Sequence, residues 1–477
     1  MRSRVLWPVV STIAVVAVAG GYLALDAYDI VPGILTTKPV IGASETLVRP
    51  ASVAPAAAVL PPAAQTTTIN KQAVQAQVDT LVNTLAQPND PNQPPPAQNA
   101  PAYVAPHISV EFLDAATGEE VAGHESEVAY TPASSTKITA IVAAMEKLGP
   151  DHTFTTKTAL NGTTVSLIAG GDQLLGAGES NPLVTRGHAG LGTLAAQTAE
   201  KLKAQKVTSV AVALDDTVWG DESQSPDWLS QGMGQYAGRI SPIAINTGLS
   251  NPQLTYGYVA DPALSAATVF ADALKAQGIA VSGVSRAKAS PDAKPLASVE
   301  SAPLADIARS LAKASDNVLA EGVCRAAALA DGKPGTYDGS VAMVRDTVGA
   351  LGVDMSTYQA RDCSGLSEQG KISAGVLAHT LYTAIHGSDP KLASVAAALP
   401  VAGLDGTLHD RFLGKGSAGI VRAKTGSLSH ARSLTGIMPT ASGSILVYSV
   451  VVADYQEGQG GRVLDHIDRM IDGVAAL

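Results

Sequence analysis

Apolar residues recur at intervals of three and four between Ile69 and Leu85, where Val74, Val78, Leu81, Val82 and Leu85 would line one face of an amphipathic helix. Ahead of it the pattern changes in kind. Val5 to Leu25 carries no charge and follows Arg2 and Arg4, and about 20 such residues suffice for a helix to span a bilayer. An export segment is therefore expected at 1–25, with the basic flank placing the remainder outside the cytoplasm. An uncleaved membrane anchor and a cleaved signal peptide both fit, the latter through the small residues Ala17, Ala19 and Gly20. From Asp26 to Thr68 Ala, Pro, Val and Thr dominate without apolar periodicity, so 26–68 is expected to be a disordered tether.

Past a proline-rich loop at 88–106, His107 to Leu113 alternates as a strand. Ala115 to Gly118 supplies a turn and Glu119 to Ala122 a returning strand. A helix is predicted over Ile138 to Leu148. Residues 153–297 mix short strands, Val165 to Ile168 and Val207 to Leu214, with Gly and Asp turns and one helical segment, Ala263 to Gln277. Helical periodicity returns from Leu304 to Ala328. Ile420 to Val421, Arg432 to Met438 and Ser444 to Ala453 read as strands, and Arg462 to Leu477 as a closing amphipathic helix. The class is α+β: helices around an antiparallel sheet, built from 69–152 and 299–477 and interrupted by an inserted α+β region at 153–298.

A chain of 477 residues, 46% hydrophobic, can build more than one core. Its net charge of −10 argues against nucleic acid as a partner. Nine histidines and two cysteines show no ligand spacing, so no metal and no cofactor are expected. His430 reads as a surface or packing residue, and no Gly-x-Ser-x-Gly elbow points to a serine–histidine triad.

Ser134 and Lys137 stand three apart at the predicted helix start, which puts both side chains on one face and the helix N-terminus beside the serine oxygen. A buried lysine there could lose its proton and act as base. The same spacing recurs at Ser285/Lys288 and Ser310/Lys313. Ser315-Asp316-Asn317 is the only Ser-x-Asn in the chain and Lys424-Thr425-Gly426 the only Lys-Thr-Gly, and their order selects Ser134.

These three motifs in this order resemble the signature of β-lactamases and penicillin-binding proteins. Ala169 to Asp172, Asp362 to Ser367 and Leu399 to Leu408 narrow the likeness to the class C low-molecular-mass penicillin-binding proteins, the D-alanyl-D-alanine carboxypeptidase/endopeptidase family. The resemblance covers 69–477 and implies the penicillin-binding transpeptidase-like fold. It implies that Ser134 attacks the carbonyl between two D-alanines while Lys137 takes its proton. Ser315 would relay that proton, Asn317 would hold the substrate amide or Lys137, and Lys424 with Thr425 would bind the terminal carboxylate. Gly426 would let substrate lie along a strand edge, and the N–H groups of Ser134 and Ser427 would form the oxyanion hole. The expected partners are peptidoglycan stem peptides ending in D-Ala-D-Ala and β-lactam inhibitors, at the outer face of the bacterial cell envelope.

A β-lactamase, or a catalytically idle peptidoglycan-binding protein of the same fold, would also carry such motifs. Cys363 departs from the small residue usual in its stretch. With Cys324 it makes an even pair in an exported chain, which favours a disulfide over two unpaired buried thiols.

Overall fold

The computed structural model describes residues 69–88, 103–251, 256–387 and 389–477. The expected export segment at 1–25 and tether at 26–68 lie outside them. Among the described residues no helix is long and apolar enough to cross a membrane.

Helix α1 (Lys71–Leu85) leads into strands β1 (His107–Asp114) and β2 (Glu120–His124), the short β3 (Ala129–Tyr130) and helix α2 (Lys137–Leu148). Next come β4 (Thr155–Asn161), β5 (Thr164–Ile168), α3 (Leu191–Ala204), β6 (Ser209–Asp215), α4 (Pro262–Ala276), β7 (Ala280–Arg286) and β8 (Lys294–Glu300). The chain continues through α5 (Leu304–Ala314), α6 (Asn317–Ala330), α7 (Tyr337–Ala350), β9 (Ile372–Ser373) and α8 (Ala374–His386). It ends with β10 (Arg422–Leu428), β11 (Ala431–Pro439), β12 (Ile445–Ala453) and α9 (Gly460–Ala475).

The main sheet runs β10-β11-β12-β1-β2 and is antiparallel throughout. Side chains alternate across it, as strand geometry requires. On β12, Leu446, Tyr448, Val450 and Val452 pack into one core with α1 and α9, while Val447 and Val451 turn into a second core with α2 and α8. A second sheet, β7-β6-β5-β4-β8, mixes parallel and antiparallel pairs, with α3 and α4 in its core. The strands that enter and leave it in chain order, β4 and β8, are neighbours, Thr155 facing Glu300.

Three expectations need correction. The stretch expected as one helix from Leu304 to Ala328 is two, because Ser315 adopts φ 54°, ψ 37° and closes α5 while Asp316 caps α6 through Leu319 N. The strand expected at Ile420–Val421 begins two residues later, at Arg422, and runs through Lys424-Thr425-Gly426, a stretch whose Thr-Gly looks like a turn. The region 153–297 holds a second long helix, α3, beside the one expected; its first turn passes so close to Gly178 that Gly190 and Gly192 have no room for a Cβ.

Candidate active site

Ser134 sits in a 3-10 turn, Ala133–Thr136, that feeds directly into α2, so Lys137 is the first α-helical residue. Two glycines clamp this turn. A Cβ on Gly365 would lie 1.9 Å from Ala133 O, and one on Gly426 would lie 2.5 Å from Pro132 O and 2.1 Å from Ser433 Oγ. Gly426 therefore serves the contact between edge strand β10 and the serine turn, a packing reason beyond the substrate access expected of it. Ser135 Oγ and Ser433 Oγ hydrogen-bond at 2.7 Å, tying the same turn to β11.

Lys137 is fully buried and its Nζ lies 2.9 Å from Ser134 Oγ, 2.7 Å from Asn317 Oδ1 and 2.7 Å from Ser364 O. The Asn317 amide cannot be reversed, because its Nδ2 donates to the Tyr236 carbonyl at 2.8 Å and a carbonyl only accepts. Oδ1 of Asn317 and the Ser364 carbonyl must each take an N–H of the lysine. A neutral lysine has two N–H bonds and one lone pair, so its lone pair then faces Ser134. Burial pushes the Lys137 ammonium down to about 8, against the pull of the Asp362, Glu321 and Asp316 carboxylates. At pH 7 about a tenth of the molecules would hold it neutral, against roughly one in 3,000 at the ordinary lysine value.

Opposite stands Lys424, also fully buried, donating to Ser315 Oγ at 2.9 Å and to Thr425 O at 2.7 Å. Burial, and then the charge of Lys137, hold its pKa well below the usual lysine range. The αL turn at Ser315 is what aims its hydroxyl at Lys424 while Asn317, two residues on, reaches Lys137. Thr425 Oγ1 donates to Thr407 Oγ1 at 2.7 Å, and Ser427 is exposed on the same edge strand.

Ser134, Ser315, Asn317, Thr425 and Ser427 line one cleft of about 860 Å³. Lys137 and Lys424 do not line it but hydrogen-bond to Ser134, Asn317 and Ser315, which do, and Gly426 lies between Thr425 and Ser427 on β10. Ser285 lies on β7 and Ser310 on α5, where its partner Lys313 is paired with Asp405, and neither lines the cleft. His430 is outside it too and lines a smaller one.

The sequence reading missed Thr407, Arg186 and Tyr236. Thr407 falls inside the quoted Leu399 to Leu408 stretch, which carried no assigned role. Arg186, from the loop before α3, donates to Asn246 Oδ1 at 2.6 Å and to Asp316 Oδ2 at 3.1 Å. Nothing in its sequence context marks it, since its partner is 130 residues away. Behind the cleft Cys324 and Cys363 are disulfide-bonded.

A family model for the D-Ala-D-Ala carboxypeptidase 3 (S13) family matches residues 97–258 and 250–474. A carboxypeptidase of Mycobacterium tuberculosis is 31% identical over 375 residues, 74% of this chain and 77% of the relative. A D-alanyl-D-alanine carboxypeptidase of an Actinomadura species is 27% identical over 439 residues, covering 74% of this chain and 78% of its own. Among solved structures, penicillin binding protein 4 of Haemophilus influenzae shares the fold at a TM-score of 0.66 and 18% identity, over 78% of this chain and 97% of that one.

Proposed function

The chain belongs to the D-Ala-D-Ala carboxypeptidase 3 (S13) family, and from that premise we propose how its cleft carries out the reaction. It is a serine-type D-alanyl-D-alanine carboxypeptidase, a penicillin-binding enzyme of peptidoglycan stem peptides. Ser134 is the nucleophile and Lys137 its proton acceptor. The observation that carries this is the lysine's hydrogen bonding: two partners that can only accept, Asn317 Oδ1 and Ser364 O, leave the Nζ lone pair to the Ser134 hydroxyl.

In the acylation step the Ser134 O–H proton passes to Lys137 Nζ as Oγ bonds to the carbonyl carbon between the two D-alanines. The oxyanion meets the N–H groups of Ser134 and Ser427. Collapse breaks the C–N bond; Ser315, already linked to Lys424, gives its hydroxyl proton to the leaving D-alanine amine and takes in its place the proton that Lys137 accepted, so Lys137 is neutral again and Lys424 keeps its charge. Water then cleaves the acyl-enzyme. The terminal carboxylate is received by Thr425 and the Lys424 ammonium, whose present partners are both neutral oxygens. Gly426 keeps β10 close enough to the serine turn for these groups to converge.

Residues 153–298 are best read as an inserted accessory region, supported by the side-by-side entry and exit of β4 and β8. The basic start and uncharged run at 1–25 support export to the cell envelope, through an uncleaved anchor or a cleaved signal peptide. A labelled penicillin is expected to attach to Ser134, and a stem pentapeptide to lose its terminal D-alanine. Label mapped to Ser285 or Ser310, or an unchanged pentapeptide, would refute this assignment. Slow release of the penicilloyl group separates the carboxypeptidase from a β-lactamase, and cleavage of a cross-linked dimer would reveal endopeptidase action.

A further inference from the structure

Glu321 lies four residues beyond Asn317 on α6, so both side chains leave the same face of the helix. Asn317 lines the cleft and Glu321 is 0% exposed. Oε1 of Glu321 accepts from the backbone N–H groups of Cys363 and Ser364 at 3.0 and 2.8 Å. The carbonyl of that same Ser364 accepts from Lys137 Nζ at 2.7 Å.

We propose that Glu321 is a positioning residue for the proton acceptor, holding the Ser364 peptide so that its carbonyl takes one lysine N–H and the lone pair is left facing Ser134. This rests on Lys137 being the base of the reaction. Helix α6 would then direct two of the three contacts of Lys137, one through the Asn317 side chain and one through Glu321 and the loop it grips.

The second oxygen of Glu321, Oε2, is buried without a hydrogen-bond partner. An ionised carboxylate in that state is costly to keep, and a glutamine could offer the same single acceptor to the loop. What glutamine lacks is the charge. Lys137 is faced by Glu321 from α6, by Asp316 at the start of that helix, by Asp362 from the loop and by Lys424 from β10. Glu321 is faced by Asp362, by Arg325 one turn further along α6 and by the Tyr337 phenol on α7. Burial pushes the Glu321 carboxyl up to about 7, with Asp362 adding to the rise. Once ionised, it opposes the fall in the lysine's pKa that burial imposes. The charge and the hydrogen bonds are therefore separable contributions.

The test is the rate of Ser134 acylation by a labelled penicillin from about pH 5 to about pH 9, in the full chain and in two variants whose folding is checked by thermal unfolding. Glu321→Gln removes the charge and keeps the reach. Its acid limb, which reports Lys137 losing its proton, is expected to move to lower pH by on the order of one unit. Glu321→Asp keeps the charge and withdraws it from the Ser364 peptide. Its acid limb is expected to stay put while the plateau rate falls about 10- to 100-fold. A limb unmoved in the first variant, or a plateau unchanged in the second, overturns the proposal. So does loss of the folded state in both, since the carboxylate would then serve the fold and not the lysine. If the wild-type label maps away from Ser134, or its acylation has no acid limb, it is the reading of Lys137 that fails first.

Discussion

Lys137 and Lys424 are both buried lysines at one cleft, and their hydrogen-bond partners differ in a way that fits the different tasks proposed for them. Lys137 meets two obligate acceptors and one hydroxyl, so losing a proton costs it no contact. Lys424 meets only the Ser315 hydroxyl and the Thr425 carbonyl, and repulsion from Lys137 adds to its burial. An incoming carboxylate would favour its charged form. Lys424→Ala is accordingly expected to lower the acylation rate about 30- to 1,000-fold, the effect of losing about 2–4 kcal/mol of preorganised electrostatic stabilisation. Stopped-flow acylation by a labelled penicillin measures it, and a folded variant reacting at the wild-type rate would remove Lys424 from the mechanism. Ser315 shows how much one backbone torsion decides: at φ 54° it takes a left-handed position that favours glycine. From that position its hydroxyl accepts from Lys424 Nζ at 2.9 Å.

Strands that alternate were legible in the sequence, and so were helices with a clear apolar stripe. Leu446 to Val452 alternates between two cores, and Val74, Val78, Leu81 and Leu85 all bury on α1. Elements set by distant partners were not legible. Strand β10 forms because Lys424 faces Thr435 and Gly426 faces Ser433 across the ladder; the family resemblance implied a strand edge at Gly426, whereas the local pattern gave a strand only at Ile420–Val421. The break at Ser315 has no glycine or proline to announce it. Of the site, the three motifs were readable as residue types in order, but Arg186, Tyr236 and Glu321 act through partners that no local spacing encodes. The cysteine pair was readable from its number and compartment alone. The disulfide joins α6 to the loop that carries Ser364, and closing a span of 39 residues contributes roughly 4 kcal/mol in the chain-entropy account. Denatured, unreduced protein should show no titratable thiol. Reduction should lower the unfolding temperature while penicillin still labels Ser134, and two free thiols in freshly exported protein would refute the pairing.

At the scale of the whole molecule, the cleft is a meeting point of segments that the chain supplies far apart. Lys137 bonds to Asn317 across 180 residues and to Ser364 across 227. Ser135 reaches Ser433 across 298. The second sheet intervenes, yet it returns Tyr236 to the Asn317 amide and Arg186 to Asp316, so its docking is felt inside the site. Contacts this long in sequence form late, because the closure of large loops must precede them. Until β10 docks on the serine turn, Lys137 would titrate as a solvated amine and Ser134 would be an ordinary hydroxyl. A chain emerging unfolded on the far side of a membrane would therefore be inert toward peptidoglycan throughout its passage, and toward β-lactams as well. In refolding from denaturant with the disulfide intact, tryptophan fluorescence should recover before the capacity to bind penicillin covalently. Equal rates for the two signals would mean that the site assembles with the bulk of the chain. The proposed nucleophile thus doubles as a clock on the chain's own maturation, striking only after β10 has docked on the serine turn.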